Sequence, residues 1–388
     1  MLKIERVNES WALGRNVLLY GPPGTGKTRF LSELYHQVQA SNERGHDLVA
    51  RPEDPSLPLA YAATEDVGIP SPIKTYWATF HQSYGYEDFI LGYRPKTESG
   101  GVTLQAYAGI LLDAVLELAD ESSDTESAVI FIDEVNRANA SRVFGEFMTF
   151  LDFDYREEGQ IPLPMPLRQL GFSNGQSEPI VRLDGSVAHL DFGFHFPKNI
   201  YIVATMNSVD RSAVPIDSAL ARRFNRIEMP PDREVLENVW ELKGDGPIDL
   251  AQNPTAYEVA LRLFDSLNSQ IASDLGAEFE LGHGLFLGLT GKHQEALENR
   301  AFAVAAWNEL ARVWDDVLFP QLEDRYAGRP HSILKLLRIP EFADSDYLWK
   351  LRSIPSQDNA VRTLMRVRAA ESQYEVVKSS FTRLVSDK

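Results

Sequence analysis

None of the 388 residues is cysteine. That removes disulfides, cysteine-ligated zinc and thiol nucleophiles together, and it agrees with a reducing compartment. No apolar run reaches the length needed to cross a bilayer. The first twenty residues, Met1 to Tyr20, lack the uninterrupted apolar stretch of a signal peptide. A cytoplasmic protein with no membrane segment is the expectation. Basic residues are also scarce, 38 against 56 acidic ones, for a formal charge of −18. A surface of that sign disfavours wrapping a polyanion, so contact with nucleic acid is expected to be local or to belong to a partner.

Hydrophobic residues make up 44% of the chain, the share of an ordinary globular protein. The length exceeds one compact core and suits two. These are expected as an α/β body over residues 1–231 and a small helical lid over 232–337, with a helical extension over 338–388. Asn16 to Tyr20 is a short apolar run, followed by a glycine-rich turn and an amphipathic stretch from Lys27 to about Ala40. Thr75 to Phe80 reads as a strand and Leu104 to Asp120 as a helix. Ala128 to Ile132 is the continuous apolar run of a parallel strand buried on both faces. Glycines, prolines and short alternating pieces such as Ile180 to Leu183 make Asp152 to Pro197 an expected β-hairpin insert. Asn199 to Thr205 and Phe224 to Met229 supply two more strands, with a short helix at Pro215 to Ala221 between them. Pro230 and Pro231 mark the change to helix. The tail contains one long amphipathic segment, Ser356 to Val385, expected to pack on the lid.

The chemistry begins at Gly21, Pro22, Pro23, Gly24, Thr25, Gly26, Lys27 and Thr28, a G-x-x-x-x-G-K-[ST] run between a strand and a helix. Its glycines allow backbone N–H groups to turn inward around phosphates, Lys27 brings charge to the terminal phosphates, and Thr28 offers a hydroxyl to Mg²⁺. Asp133 and Glu134 follow the Ala128–Ile132 run, at the strand end where open α/β sheets bind ligands. Asp133 suits the magnesium shell, and Glu134 suits orienting and polarising an attacking water. A purely structural acidic turn is the competing reading, and the position at a strand end weighs against it. Asn207 ends the next buried strand, where an amide holds a lytic water beside the γ-phosphate. Arg222 and Arg223 stand just before the last core strand. They suit neutralising transition-state charge on a neighbouring subunit's nucleotide, or else form a solvated basic helix end.

Four longer segments narrow the class: Phe80 to Pro95 (FHQSYGYEDFILGYRP), Phe131 to Glu146 (FIDEVNRANASRVFGE), Met206 to Phe224 (MNSVDRSAVPIDSALARRF) and Leu275 to Phe286 (LGAEFELGHGLF). With the phosphate loop they resemble McrB, the AAA+ motor subunit of McrBC-type restriction systems, over nearly all of residues 15–290. The resemblance implies an AAA+ P-loop NTPase core with a helical lid, using Mg²⁺ and hydrolysing GTP or ATP. It also implies a homo-oligomeric ring, a hexamer, that drives an McrC-like nuclease against foreign or modified DNA. The family's M-N-T-A-D-R-S signature stands here as Met206-Asn207-Ser208-Val209-Asp210-Arg211-Ser212, with serine for threonine and valine for alanine. In that family the signature serves hydrolysis and is also discussed as a guanine-reading element; a strand-terminal amide suits water positioning better than base recognition, which assigns Asn207 to hydrolysis and leaves Asp210 and Arg211 to act across the subunit interface. His283, in Leu281-Gly-His-Gly284, stands where AAA+ lids place a γ-phosphate sensor. His81, Gln82, Glu87 and Asp88 lie near the nucleotide or the subunit seam, with a satisfied buried histidine as the equal alternative for His81.

Known members carry a DNA-reading domain ahead of the motor, whereas the loop here begins at residue 21. DNA recognition is therefore expected from another chain. Two rivals share part of the pattern. A MoxR-like remodelling ATPase shares the loop and acidic pair but not the four McrB-like segments. A nucleotide-gated scaffold with little turnover would not need the complete set of catalytic residue types.

Overall fold

The computed structural model describes residues 2–44, 69–98, 101–156, 170–173, 175–190, 196–209, 216–242, 253–339, 347–354, 361–365 and 367–386. Contacts divide the chain into two units, one of residues 1–21 with 27–229, the other of residues 22–26 with 230–388. Among the described residues no helix is long and apolar enough to cross a membrane.

The strands, in chain order, are β1 (Asn16–Gly21), β2 (Ile73–Thr79), β3 (Leu91–Glu98), β4 (Gly101–Ala108), β5 (Ser127–Asp133), β6 (Phe172–Ser173), β7 (Gln176–Ser177), β8 (Ile180–Val181), β9 (Val187–Ala188), β10 (Ile200–Asn207), β11 (Phe224–Glu228), β12 (Lys350–Ile354) and β13 (Val361–Met365). In the first unit five of them form a sheet in the order β11-β1-β10-β5-β2, every pair parallel. All seven residues of β5 are buried, because helices cover both faces of a parallel sheet. Side chains alternate along it with period two. Val129 and Phe131 pack with Phe30, Leu34 and Val203 on one face, and Ile130 and Ile132 with Leu112, Val115 and Phe144 on the other.

The expected helix over Leu104 to Asp120 begins only at Ile110. Before it, β3 and β4 pair as an antiparallel hairpin. Val102, Leu104, Ala106 and Ala108 are apolar at every second position, a strand period hidden by the helical run that follows. The expected insert after Asp152 does contain a hairpin, β8–β9, which joins β4 through β8. Its entry is fixed by Arg156, a buried guanidinium that donates to the carbonyls of Phe150, Lys198 and Ile200 at 2.6, 2.9 and 2.6 Å. Burial pushes this arginine down to about 9.

The second unit is helical around one apolar cluster that includes Leu236, Trp240, Phe264, Trp307, Trp314 and Phe381. Its longest helix, Ala256–Leu275, opens with a capping box: Thr255 accepts the N–H of Glu258, whose carboxylate accepts the N–H of Thr255 at 2.7 Å. Such reciprocal caps satisfy two amides that a helix start leaves without partners. The tail is not one continuous amphipathic segment. β12 and β13 pair antiparallel, and the helix runs only over Tyr374–Val385. Five-residue strands are too short to display their own period against a helical average. That last helix does pack into the lid core. Phe381 stands edge-on to Trp314 and Trp349, with centroids 5.4 and 5.5 Å away.

Candidate functional site

The phosphate loop joins the end of β1 to the helix Lys27–Arg44. Gly24 and Gly26 take φ values of 80° and 81°, which L side chains rarely adopt. Lys27 donates from Nζ to the Gly21 carbonyl at 2.9 Å and is only 6% exposed. Burial pushes its ammonium down to about 8, against the pull of the Glu134 and Asp133 carboxylates. A buried cation held in this way gains most from an arriving polyanion.

Thr28 lies in the first turn of that helix, and Asp133 ends β5. Thr28 Oγ1 donates to Asp133 Oδ1 at 3.0 Å, so a hydroxyl and a buried carboxylate converge. No group of three or more His, Cys, Asp or Glu suited to a metal occurs among the described residues. Two hard oxygens without a protein cage fit Mg²⁺, which takes its remaining ligands from phosphates and water.

Glu134 follows in a left-handed conformation, φ 57° and ψ 47°. This turns its side chain back toward β10, where Asn207 Nδ2 donates to Glu134 Oε1 at 2.5 Å. Arg137 lies 3.6 Å from Glu134 Oε2, and Asn136 Nδ2 donates to the Asn207 carbonyl at 3.0 Å. Thr205, two residues before Asn207, touches both acidic residues. Its hydroxyl donates to Asp133 Oδ1 at 2.6 Å and accepts the Glu134 N–H at 2.9 Å.

The two arginines of the pair part company. Arg223 is tied within its own chain, its Nε 3.0 Å from Asp152 Oδ2 and its side chain 9% exposed, with Nη1 donating to the Ala219 carbonyl at 2.7 Å. Arg222 is exposed. The short helix Ser218–Ala221 that carries them is capped by Asp217, which accepts the Leu220 N–H and bonds to Ser141. Asn16, buried at the start of β1, donates to the Leu151 and Arg223 carbonyls at 2.9 and 3.4 Å and accepts the Ile202 N–H at 3.2 Å. Asp210 and Arg211 lie outside the described residues.

His283 belongs to the second unit, as do residues 22–26. The Gly282 and Gly284 amides donate to the carbonyls of Pro23 and Gly24 at 3.2 and 2.8 Å. A Cβ on Gly282 would stand 2.1 Å from the Gly24 carbonyl carbon, so only glycine allows this approach. His283 Nδ1 accepts the Asp232 N–H at 3.1 Å, which leaves its ring proton on Nε2. That nitrogen is 3.8 Å from where a Cβ on Gly26 would be. His81 is exposed rather than buried and meets Tyr84 edge-on. Gln82, Glu87 and Asp88 are exposed as well. The neighbouring backbone reaches Asp133, the Phe80 N–H donating to its carbonyl at 2.9 Å.

The family model of the AAA domain, dynein-related subfamily, matches residues 72–224, and that of the McrB alpha-helical lid domain matches residues 260–333. The chain is a McrB-like AAA+ protein. It is similar to the type IV methyl-directed restriction enzyme EcoKMcrB subunit of Escherichia coli (strain K12), 31% identical over 289 residues, which cover 73% of this chain and 50% of that protein. It is also similar to the type II restriction enzyme BsuMI component YdiS of Bacillus subtilis (strain 168), 25% identical over 237 residues, covering 60% of this chain and 62% of that protein. The chain thus spans about half the length of the first relative and somewhat more of the second. The AAA match begins after the phosphate loop, so the assignment of residues 21–28 rests on their own motif and geometry. Thr205, Asn136, Arg137 and Asn16 escape a reading by motif. The available signal for Thr205 was its place two residues before Asn207, on the same face of a strand.

Proposed function

We propose that the chain is the nucleotide-hydrolysing motor of an McrBC-type restriction system, working as a hexameric ring with an McrC-like nuclease and reaching DNA through partners. The observation that carries the reading is the convergence of Thr28, Asp133, Glu134 and Asn207 at the carboxyl ends of β5 and β10. Residues Gly21 to Thr28 hold the triphosphate of GTP or ATP, with Lys27 against its terminal phosphates. Thr28 and Asp133 hold Mg²⁺, which when bound neutralises charge developing on the phosphate oxygens.

Glu134 accepts a proton from the attacking water, and Asn207 fixes where that water stands. Arg222 of one subunit reaches the nucleotide of the next, while Arg223 holds the helix end from which Arg222 projects. Asp210 and Arg211 serve the same seam, and His283 offers its Nε2 proton to a phosphate held by residues 22–26. The Met-Asn-Ser-Val-Asp-Arg-Ser run, the lid match and the two restriction-system relatives support a place in DNA restriction.

The test is Glu134→Gln, which keeps the shape and removes the base. Nucleotide binding is expected to persist and turnover of both GTP and ATP to fall by two or more orders of magnitude, on the order of the share of general-base catalysis. Hydrolysis at the wild-type rate would remove Glu134 from this role. Copurification with a metal-dependent client in place of a nuclease would move the protein out of restriction.

A further inference from the structure

Asp133 and Glu134 are adjacent, and adjacent residues of an extended strand point to opposite faces. For both carboxylates to serve one reaction centre, the chain must turn sharply between them. It does so by placing Glu134 at φ 57°, a region that a side-chain-bearing residue occupies only where its surroundings hold it there.

We infer that Thr205 is the positioning residue that sets both carboxylates, its one hydroxyl fixing Asp133 by its side chain and Glu134 by its backbone. The inference rests on the hydrolytic reading above. An amide N–H can only donate, so the 2.9 Å contact from the Glu134 N–H uses a lone pair of Thr205 Oγ1. The hydroxyl proton is then committed to Asp133 Oδ1 at 2.6 Å, the oxygen that Thr28 also reaches. Thr205 is 1% exposed, so no bulk water stands ready to replace a missing hydroxyl.

Thr205 and Asn207 occupy the same face of β10, two residues apart. The first holds the Glu134 amide and the second its Oε1. Asn136 in turn donates to the Asn207 carbonyl. The acidic pair is thereby gripped at three atoms by one strand. Misplacing Glu134 by about an ångström is enough to lose two orders of magnitude in rate, whereas Thr205 stands on β10, outside the loop proposed to hold the nucleotide.

The experiment compares full-length Thr205→Val and Thr205→Ser with the wild type and Glu134→Gln, measuring GTP and ATP hydrolysis against substrate and Mg²⁺ concentration. Thr205→Val removes the hydroxyl at nearly constant shape. Its kcat is expected to fall on the order of 10- to 100-fold, its half-saturating Mg²⁺ to rise, and its KM for nucleotide to stay near wild type. Thr205→Ser is expected to restore most of the rate. Thr205→Ala serves as the hydroxyl-free arm if valine does not fold. Wild-type kcat in the hydroxyl-free variant, with Glu134→Gln inactive, overturns this inference alone. Equal losses in the serine and valine variants overturn it too, because they assign the effect to the methyl group. An active Glu134→Gln overturns the hydrolytic reading and this inference with it.

Discussion

Arg222 and Arg223 are neighbours of identical chemistry, yet their surroundings predict opposite mutant behaviour. The Arg223 side chain is 9% exposed and paired with Asp152, itself 31% exposed, and it also donates to the Ala219 carbonyl. A partly shielded ion pair contributes up to about 1 kcal/mol, and loss of a charged hydrogen bond with stem packing adds a similar amount. Arg223→Ala should therefore destabilise the first unit by about 2 kcal/mol, a fall of roughly 4–8 °C in Tm for a unit of this size.

Arg222 is exposed, and alanine there should change stability by less than about 0.5 kcal/mol. If it acts on a neighbour's nucleotide, turnover should nevertheless fall on the order of a thousandfold, which is about 4 kcal/mol of barrier. Thermal unfolding and steady-state hydrolysis of the two variants separate these effects. Mixing Arg222→Ala with Glu134→Gln subunits provides the decisive arm. Each variant alone is inactive, but a mixed assembly contains interfaces where an intact Arg222 faces an intact Glu134, and activity should return. Wild-type turnover by Arg222→Ala, or no recovery on mixing, refutes the division of labour.

Two further expectations follow from the site and the lid. Lys27 is held down to about 8 by burial in the free protein, and bound phosphates restore its charge, so binding should take up protons near and above that pH. Affinity should be flat below about pH 8 and fall by up to roughly tenfold per unit above it. Calorimetry at pH 8.5 in two buffers of different ionisation heat checks this, and identical heats in both would contradict it. Phe381 is fully buried against Trp314 and Trp349. Phe381→Ala should cost about 3–5 kcal/mol, readable as loss of the near-ultraviolet tryptophan signal at lower denaturant.

The sequence alone determined what depends on neighbours along the chain. The phosphate loop needs glycines at positive φ next to a lysine, and those residues are consecutive. The acidic pair was found because a buried parallel strand is a continuous apolar run, and its end is visible as the first charged residue after Ile132. Asn207 is legible in the same way at the end of β10. The helical character of the lid over residues 232–337 is likewise carried by pattern within the segment.

Tertiary structure decided everything that depends on which distant groups meet. Thr205 looks like any β-branched strand residue until β10 is laid beside β5 and its hydroxyl lands between Asp133 and the Glu134 amide. Arg222 and Arg223 are indistinguishable as letters, and only Asp152, seventy-one residues away in sequence, tells them apart. The β3–β4 hairpin and the β12–β13 pair are not legible in local pattern, because a strand's stability resides in a ladder to another segment, while helix periodicity is written within the segment itself. Local pattern therefore sufficed to pick out the candidate residues, and long-range hydrogen bonds determined which of them meet.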